Sequence, residues 1–179
     1  ALLAYAVAER VPVVIATTGF TPDELRHIHE AAAEIPVFLS ANMSLGVALL
    51  TELTRIAARM MPDAEIEIIE KHHDRKLDAP SGTALMLARA VQDVRPEAEL
   101  VLGRSGNGKR TKTEIGLHAI RMGNIVGEHE VLIGTDSQTI SLKHEAHDRA
   151  LFAEGAAAAA EFLVGKTPGL YNMQDLVRG

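Results

Sequence analysis

Between residues 70 and 84 the chain reads Glu-Lys-His-His-Asp-Arg-Lys-Leu-Asp-Ala-Pro-Ser-Gly-Thr-Ala. Two adjacent histidines, His72 and His73, close an apolar strand-like run from Ile66 to Ile69. Lys76 follows four residues after His72, and Pro80-Ser81-Gly82-Thr83 opens a helical pattern that runs to Val91. Histidine exchanges protons near neutral pH, and lysine adds positive charge with protons to give. A helix that opens with Ser-Gly-Thr offers backbone N–H groups, and its dipole favours an anion there. Glycine at the turn lets a ligand come close to the backbone. These residue types at these spacings predict a pocket that holds a small carboxylate or phosphate and protonates it.

Other readings of the same residues are weaker. Adjacent residues on a strand point to opposite faces, so His72 and His73 poorly share one metal ion. The chain has no cysteine and no H-E-x-x-H, so no metal is expected. Without Lys76 and the Ser81-Gly82-Thr83 turn, the pair would read equally well as surface histidines. Gly103 to Arg110, Gly-Arg-Ser-Gly-Asn-Gly-Lys-Arg, comes close to a phosphate-binding P-loop. That pattern needs Ser or Thr after the lysine and then a helix. Arg110 follows Lys109, and the next segment has a strand pattern, so a solvated loop is the better expectation. His27 and His29 are expected to face solvent; one or more of His118, His129, His144 and His147 could line the same cleft, but the sequence does not choose among them, and they are read as structural. Asp78 is expected to orient the turn into the helix.

The elements around the central stretch alternate. Ala1 to Arg10 is helical and Val11 to Ala16 is a short apolar strand. Thr21-Pro22-Asp23-Glu24 starts a helix with a capping threonine, proline at the first position and acids in the first turn. Val37-Phe38-Leu39 is a second buried strand. Strand, helix, strand in this rhythm indicates a parallel βαβ unit, and such sheets bind ligands at the carboxyl ends of their strands. Thr17-Thr18 and Ser40-Ala41-Asn42 occupy those ends, although the same residues also suit ordinary βα loops. Ser44 caps a long helix with a stripe of Leu45, Leu49, Leu53, Ile56 and Met60, expected to be core. Ala64 to Glu70 is the strand that delivers the central stretch. Strand patterns recur at 99–102, 113–122, 128–135 and 138–145, an open mixed or antiparallel sheet. Ala150 to Val164 is an Ala-rich helix, and Leu170 to Leu176 is a short final element.

The stretch H-H-x-x-K-x-D-A-P-S-G-T-A resembles the signature of the 4-hydroxy-tetrahydrodipicolinate reductase family, also called dihydrodipicolinate reductase. Ala16-Thr17-Thr18-Gly19 and Ser40-Ala41-Asn42-Met43-Ser44 are similar to two loops that contact the nicotinamide end of the cofactor in that family. The chain departs from the pattern twice, with Ala16 in place of glycine and Met43 in place of an aromatic; methionine can still cover a ring face. The resemblance spans nearly the whole chain. It implies reduction of a cyclic imine dicarboxylate to tetrahydrodipicolinate with NADH or NADPH, in lysine and diaminopimelate biosynthesis. It implies that His72 and Lys76 handle the proton and that His73 contacts the substrate. Gly82 and Thr83 would hold one carboxylate. Ala16, Thr17, Thr18, Ser40, Ala41, Asn42 and Met43 would hold the cofactor, and the assembly would be a homotetramer. Lysine crowded by like charges is a better acid, which suits the Lys76 role.

Composition fits these expectations. The 179 residues are 47% hydrophobic but only 3% aromatic, so aliphatic side chains must fill the core. A formal charge of −6 argues against a broad nucleic-acid face. The absence of cysteine excludes disulfides and thiolate chemistry and suits a reducing, cytoplasmic compartment. No apolar run is long enough to span a membrane. The first residues read as a helix already under way, and no G-x-G-x-x-G occurs, so a first strand and a Gly-rich nucleotide loop are expected before Ala1.

The expected fold is α/β: a partial Rossmann-like nucleotide domain plus an α+β substrate and oligomerisation domain with a mixed sheet. The expected boundaries are 1–42 for the nucleotide-binding part, 43–149 for the substrate domain and 150–179 for a return to the first. Two alternatives have different signatures. Another two-domain NAD(P)-dependent dehydrogenase is one; its aspartate-semialdehyde type would need a catalytic cysteine. A non-catalytic dicarboxylate-binding or assembly domain would keep Ser81-Gly82-Thr83 without needing Lys76.

Overall fold

The computed structural model describes all residues from Ala1 to Gly179. In chain order it begins α1 (Leu2–Glu9), β1 (Val13–Ile15), α2 (Pro22–Ala32), β2 (Pro36–Leu39) and α3 (Leu45–Met60). It continues β3 (Glu65–His72), α4 (Gly82–Gln92), β4 (Glu99–Leu102), β5 (Glu114–Arg121), β6 (Gly127–Thr135) and β7 (Gln138–Ala146). It ends α5 (Ala150–Leu163), β8 (Gly169–Tyr171) and α6 (Met173–Arg178). The chain divides into two compact units, Ala1–Ala48 with Ala150–Gly179, and Leu49–Arg149, the boundary falling inside α3.

The first unit is a three-stranded parallel sheet in the order β1-β2-β8. Its strands are short and apolar; central β2 is buried, while β1 and β8 on either side of it are half-buried or exposed. α2 starts where a capping box forms: the Glu24 amide donates to Thr21 Oγ1 at 3.3 Å, and the Thr21 amide donates to Glu24 Oε2 at 2.8 Å. One apolar cluster joins Ala6, Ile28, Ala31, Ala32, Ile35 and Val37; a second joins Phe38, Met43, Ala48, Ala159, Leu163 and Met173. α5 approaches so closely that a Cβ on Gly155 would fall 1.6 Å from the Met43 carbonyl oxygen, so only glycine fits there. The final segment is two elements rather than one. Gly169–Tyr171 adds a strand beside β2, and Asn172 then caps α6.

The second unit is a five-stranded mixed sheet in the order β4-β5-β3-β6-β7. β4, β5 and β3 run parallel, and β3, β6 and β7 are antiparallel neighbours. β3 sits in the middle, so its ladder is filled on both sides. Its burial alternates strictly, with Ile66, Ile68, Glu70 and His72 turned to the buried face. Leu50 and Ala58 of α3 and Ala84, Leu87, Ala88 and Val91 of α4 cover that face. Arg95 is buried nearby and donates to the carbonyl of Ala58 in the last turn of α3 and to those of Met61 and Ala64 just beyond it.

One expectation fails in α3. Leu45, Leu49, Leu53 and Met60 are exposed, Met60 by 74%, and Ile56 is only half-buried. The helix instead buries Val47, Ala48, Leu50, Thr51, Thr54 and Ala58. The smaller residues face the neighbours because they allow close approach, and Thr54 satisfies its hydroxyl on the Leu50 carbonyl at 2.8 Å. Hydrophobic size alone picked the wrong face.

Candidate active site

All the candidate proton and substrate residues lie in the second unit, gathered where β3 runs out. His72 is the last residue of β3, and alternation turns it to the buried face together with Glu70. Glu70 is wholly buried. Its Oε2 accepts from His72 Nδ1 at 2.6 Å and from Arg121 Nη1 at 2.8 Å. Its Oε1 accepts from Arg121 Nη2 at 2.7 Å and from the Ser81 amide at 3.0 Å. Burial pushes this carboxyl up, but the bonds from His72, Arg121 and Ser81 outweigh it and hold the group down at about 2. The carboxylate is therefore ionised throughout the physiological range and can only accept.

The loop after β3 is pinned as well. The His73 amide donates to the Ile125 carbonyl at 2.8 Å, and Arg75 reaches Asn124 Oδ1 at 2.9 Å. Lys76 Nζ lies 2.9 Å from Asp78 Oδ1, and this pairing holds the Asp78 carboxyl below its ordinary value. Arg121 also donates to the Asp78 carbonyl at 2.7 Å. Lys76 is thus matched with an opposite charge rather than crowded by like ones. Asp78 steadies the lysine, a role beyond the expected orientation of the turn. His73 is half-buried with an Nδ1 that has no partner, and desolvation, then Arg75, Arg149 and His72, lowers its affinity for a proton.

α4 begins at Gly82 with Ser81 as its cap. Ser81 Oγ accepts from the Ala84 amide at 3.2 Å, and the Ser81 amide is engaged by Glu70. Gly82 is exposed, and nothing stands within 4 Å of the place its Cβ would take. An anion has room to approach the helix end there.

Strand alternation brings in one of the four histidines among which the sequence did not choose. His129 on β6 is buried and faces the same side as His72, with ring centroids 5.2 Å apart, edge to face. Its Nε2 is 3.1 Å from Ser81 Oγ. Burial, then the neighbouring His72, pushes its proton affinity down to about 4, so it is neutral near pH 7. Of the other histidines, His27, His29 and His147 are exposed, His118 pairs with Glu67 at 2.8 Å, and His144 stands opposite His129 in the ladder. The loop from Gly103 to Lys112 is exposed for most of its length and leads into β5, a strand. Arg110 there donates to the Ile66 and Glu114 carbonyls, and no P-loop geometry follows.

The first unit carries the other candidates. Ala16, Thr17 and Thr18 follow the carboxyl end of β1 and are exposed. Ser40, Ala41 and Asn42 follow β2; Ser40 Oγ donates to the Asn42 carbonyl at 2.7 Å, and Asn42 Oδ1 accepts from the Ser44 amide at 2.8 Å. Met43 differs from expectation. Its side chain is 3% exposed and packs among Phe38, Ala48, Ala159 and Leu163, so it cannot cover a ring face.

Two family models match the chain: dihydrodipicolinate reductase, N-terminus, over residues 1–43, and dihydrodipicolinate reductase, C-terminus, over residues 46–177. The chain belongs to the dihydrodipicolinate reductase family. It is 50% identical over 179 residues to a 4-hydroxy-tetrahydrodipicolinate reductase from Caldanaerobacter subterraneus subsp. tengcongensis, covering 99% of this chain and 71% of that protein. It is 47% identical over 178 residues to one from Clostridium tetani, covering 98% and 70%. A solved structure of a dipicolinate-bound dihydrodipicolinate reductase from Paenisporosarcina sp. TG-14 superposes with a TM-score of 0.78 at 28% identity, covering 96% of this chain and 66% of that one.

Membership of this reductase family implies a nicotinamide cofactor. The first unit fits one. Two parallel strands end side by side, and Gly19, at φ +84°, leaves open space where a side chain would stand. Glu70 and Arg121 join the candidate cluster without having been singled out in the sequence, and His129 is the one of the four open histidines that the fold brings to it. Glu70 was open to discovery, because a charge two residues before His72 on a strand shares its face. The Arg121–Glu70 pair is separated by 51 positions, and no local pattern announces it.

Proposed function

We propose that the chain reduces 4-hydroxy-tetrahydrodipicolinate to tetrahydrodipicolinate with NADH or NADPH, the second unit binding the dicarboxylate and managing its proton. Membership of the reductase family supports the reaction. The single observation that carries the division of labour is the linked cluster at the end of β3. His72, Lys76 and the opening of α4 are joined there through Glu70, Arg121, Asp78 and Ser81.

The cofactor, when bound, supplies hydride. The chain supplies the rest. Hydride addition to a C=N or conjugated C=C bond leaves an anionic atom that needs a proton, and the His72 imidazole and Lys76 Nζ are the groups built to give it. Gly82 and Thr83 hold one substrate carboxylate by backbone N–H groups and the threonine hydroxyl. His73 and the local positive charge answer the other. In the first unit, Ala16, Thr17, Thr18, Ser40, Ala41 and Asn42 line the nicotinamide end, and Met43 acts there through its backbone only. We read residues 1–42 and 150–179 as the nucleotide-binding part and 43–149 as the substrate and assembly part.

We also read the protein as a homotetramer. The sheet face turned away from α3 and α4 carries Ile69, Ile120 and Leu132, half-buried or exposed, among the pairs Lys71–Glu128 and Glu67–His118. That mixture of apolar residues and matched charges suits a protein–protein contact.

The test is turnover, followed by loss of nicotinamide absorbance. His72→Gln and Lys76→Met should each lower kcat by about 10²–10⁴ with the fold intact. Near-normal turnover in both removes them from the reaction.

A further inference from the structure

The mechanism above uses the His72 ring but leaves unexplained why a fully buried carboxylate stands behind it. A buried carboxylate is costly unless its acceptor sites are filled. Glu70 receives four hydrogen bonds, two on each oxygen: His72 and Arg121 on Oε2, Arg121 and the Ser81 amide on Oε1. That is the full capacity of an ionised carboxyl group. The Arg121 fork and the Ser81 amide hold the carboxylate by three bonds in which the histidine takes no part. The fourth bond is therefore aimed, because the anchor would hold without it.

An acceptor-only oxygen 2.6 Å from His72 Nδ1 requires that nitrogen to carry hydrogen. The neutral ring then has its lone pair on Nε2. The ring is confined on its other sides as well. His129 meets it edge to face at 5.2 Å, and Gly127 lies so near that a Cβ there would stand 3.1 Å from Nε2. The missing side chain at 127 leaves the space that Nε2 faces.

We propose that Glu70 is a positioning residue for His72, anchored by Arg121 and Ser81, which holds the imidazole in the Nδ1–H tautomer so that Nε2 is the nitrogen that exchanges the catalytic proton. The role in catalysis rests on the reading of His72 as a proton-handling group; the tautomer does not. Glu70 itself touches no reacting atom. Its contribution is to keep one proton on the far side of the ring while the near nitrogen is loaded and unloaded, and to stabilise the imidazolium in between.

The experiment labels histidine with ¹⁵N and reads the imidazole nitrogen shifts at alkaline pH, the His72 signals being assigned by their loss in His72→Gln. The expected spectrum has a protonated Nδ1 and a bare Nε2. Glu70→Gln offers an amide that both donates and accepts, so the single tautomer should give way to a mixture. In the same variant kcat should fall on the order of 10²-fold or more, while KM and the affinity for pyridine-2,6-dicarboxylate change by less than about threefold. An Nε2–H tautomer in the unaltered protein overturns the proposal and needs no variant to fold. So does a Glu70→Gln enzyme with undiminished kcat, or one that loses kcat, KM and dicarboxylate affinity together, which is the mark of a purely structural acid. If instead His72→Gln retains activity while the tautomer stands as expected, the assignment of His72 to the reaction fails, and the positioning of its ring does not.

Discussion

The two sets of candidate residues are built on opposite plans. In the second unit the working groups are side chains locked by other side chains: Glu70 is sealed and saturated, His72 is held by it, and Lys76 is matched with Asp78. In the first unit the candidates other than the buried Met43 are exposed or half-buried loop residues at strand ends, with local contacts such as Ser40 with Asn42 two positions away. The difference follows from the roles proposed for each. Proton transfer needs one atom placed to within a fraction of an ångström, and misplacement by about 1 Å can cost on the order of 10² in rate. A large flat cofactor spreads its binding over many contacts, several of them backbone, so no single side chain has to be sealed in place.

That contrast can be broken in three ways, beginning with the largest effect. Gly155→Ala puts a Cβ against the Met43 carbonyl, a backbone atom that cannot swing aside. It should destabilise the first unit by roughly 3 kcal/mol or more. Titration calorimetry with NADH and with pyridine-2,6-dicarboxylate should show nucleotide affinity collapsing while dicarboxylate affinity survives. Equal loss of both would mean that the two plans are not separable.

A second effect belongs to the buried network alone. His129 has its proton affinity lowered from 6.5 to about 4, chiefly by burial. Between those values the unfolded chain binds a proton that the folded chain refuses. Stability that is complete above pH 6.5 is therefore lost as pH falls toward 4, by roughly 3 kcal/mol at most. His144 and His73 shift in the same direction and add to the slope. Urea unfolding of the second unit, followed by hydrogen exchange of its strands, should show the slope, and His129→Asn should flatten it. A slope unchanged in that variant would place the titration elsewhere.

The smallest effect sharpens the anion site. Thr83→Val preserves shape and deletes a hydroxyl. Pyridine-2,6-dicarboxylate should bind more weakly by roughly 1–3 kcal/mol, with nucleotide affinity unchanged. Undiminished inhibition by that compound would move the carboxylate contact off the start of α4.

By itself the sequence determined what local chemistry can determine. Thr21-Pro22-Asp23-Glu24 specified a helix start because every member of the capping box lies within four residues. The alternating Ala64 to Glu70 specified a strand, and Pro80-Ser81-Gly82-Thr83 specified the start of α4. The long motif around His72 and Lys76 carried the family. Tertiary structure decided everything that joins distant segments. It chose the small-residue face of α3 over the leucine stripe, because packing rewards close approach as well as size. It pulled Met43 into the core, because α5 closes over it at Gly155. It made a strand of Gly169–Tyr171 by offering β2 an unpaired edge. And it set Arg121 and Ser81 on Glu70, an acid to which the sequence assigned no role. Periodicity reports which residues share a face; only the closed ladder between β3, β5 and β6 reports what that face meets.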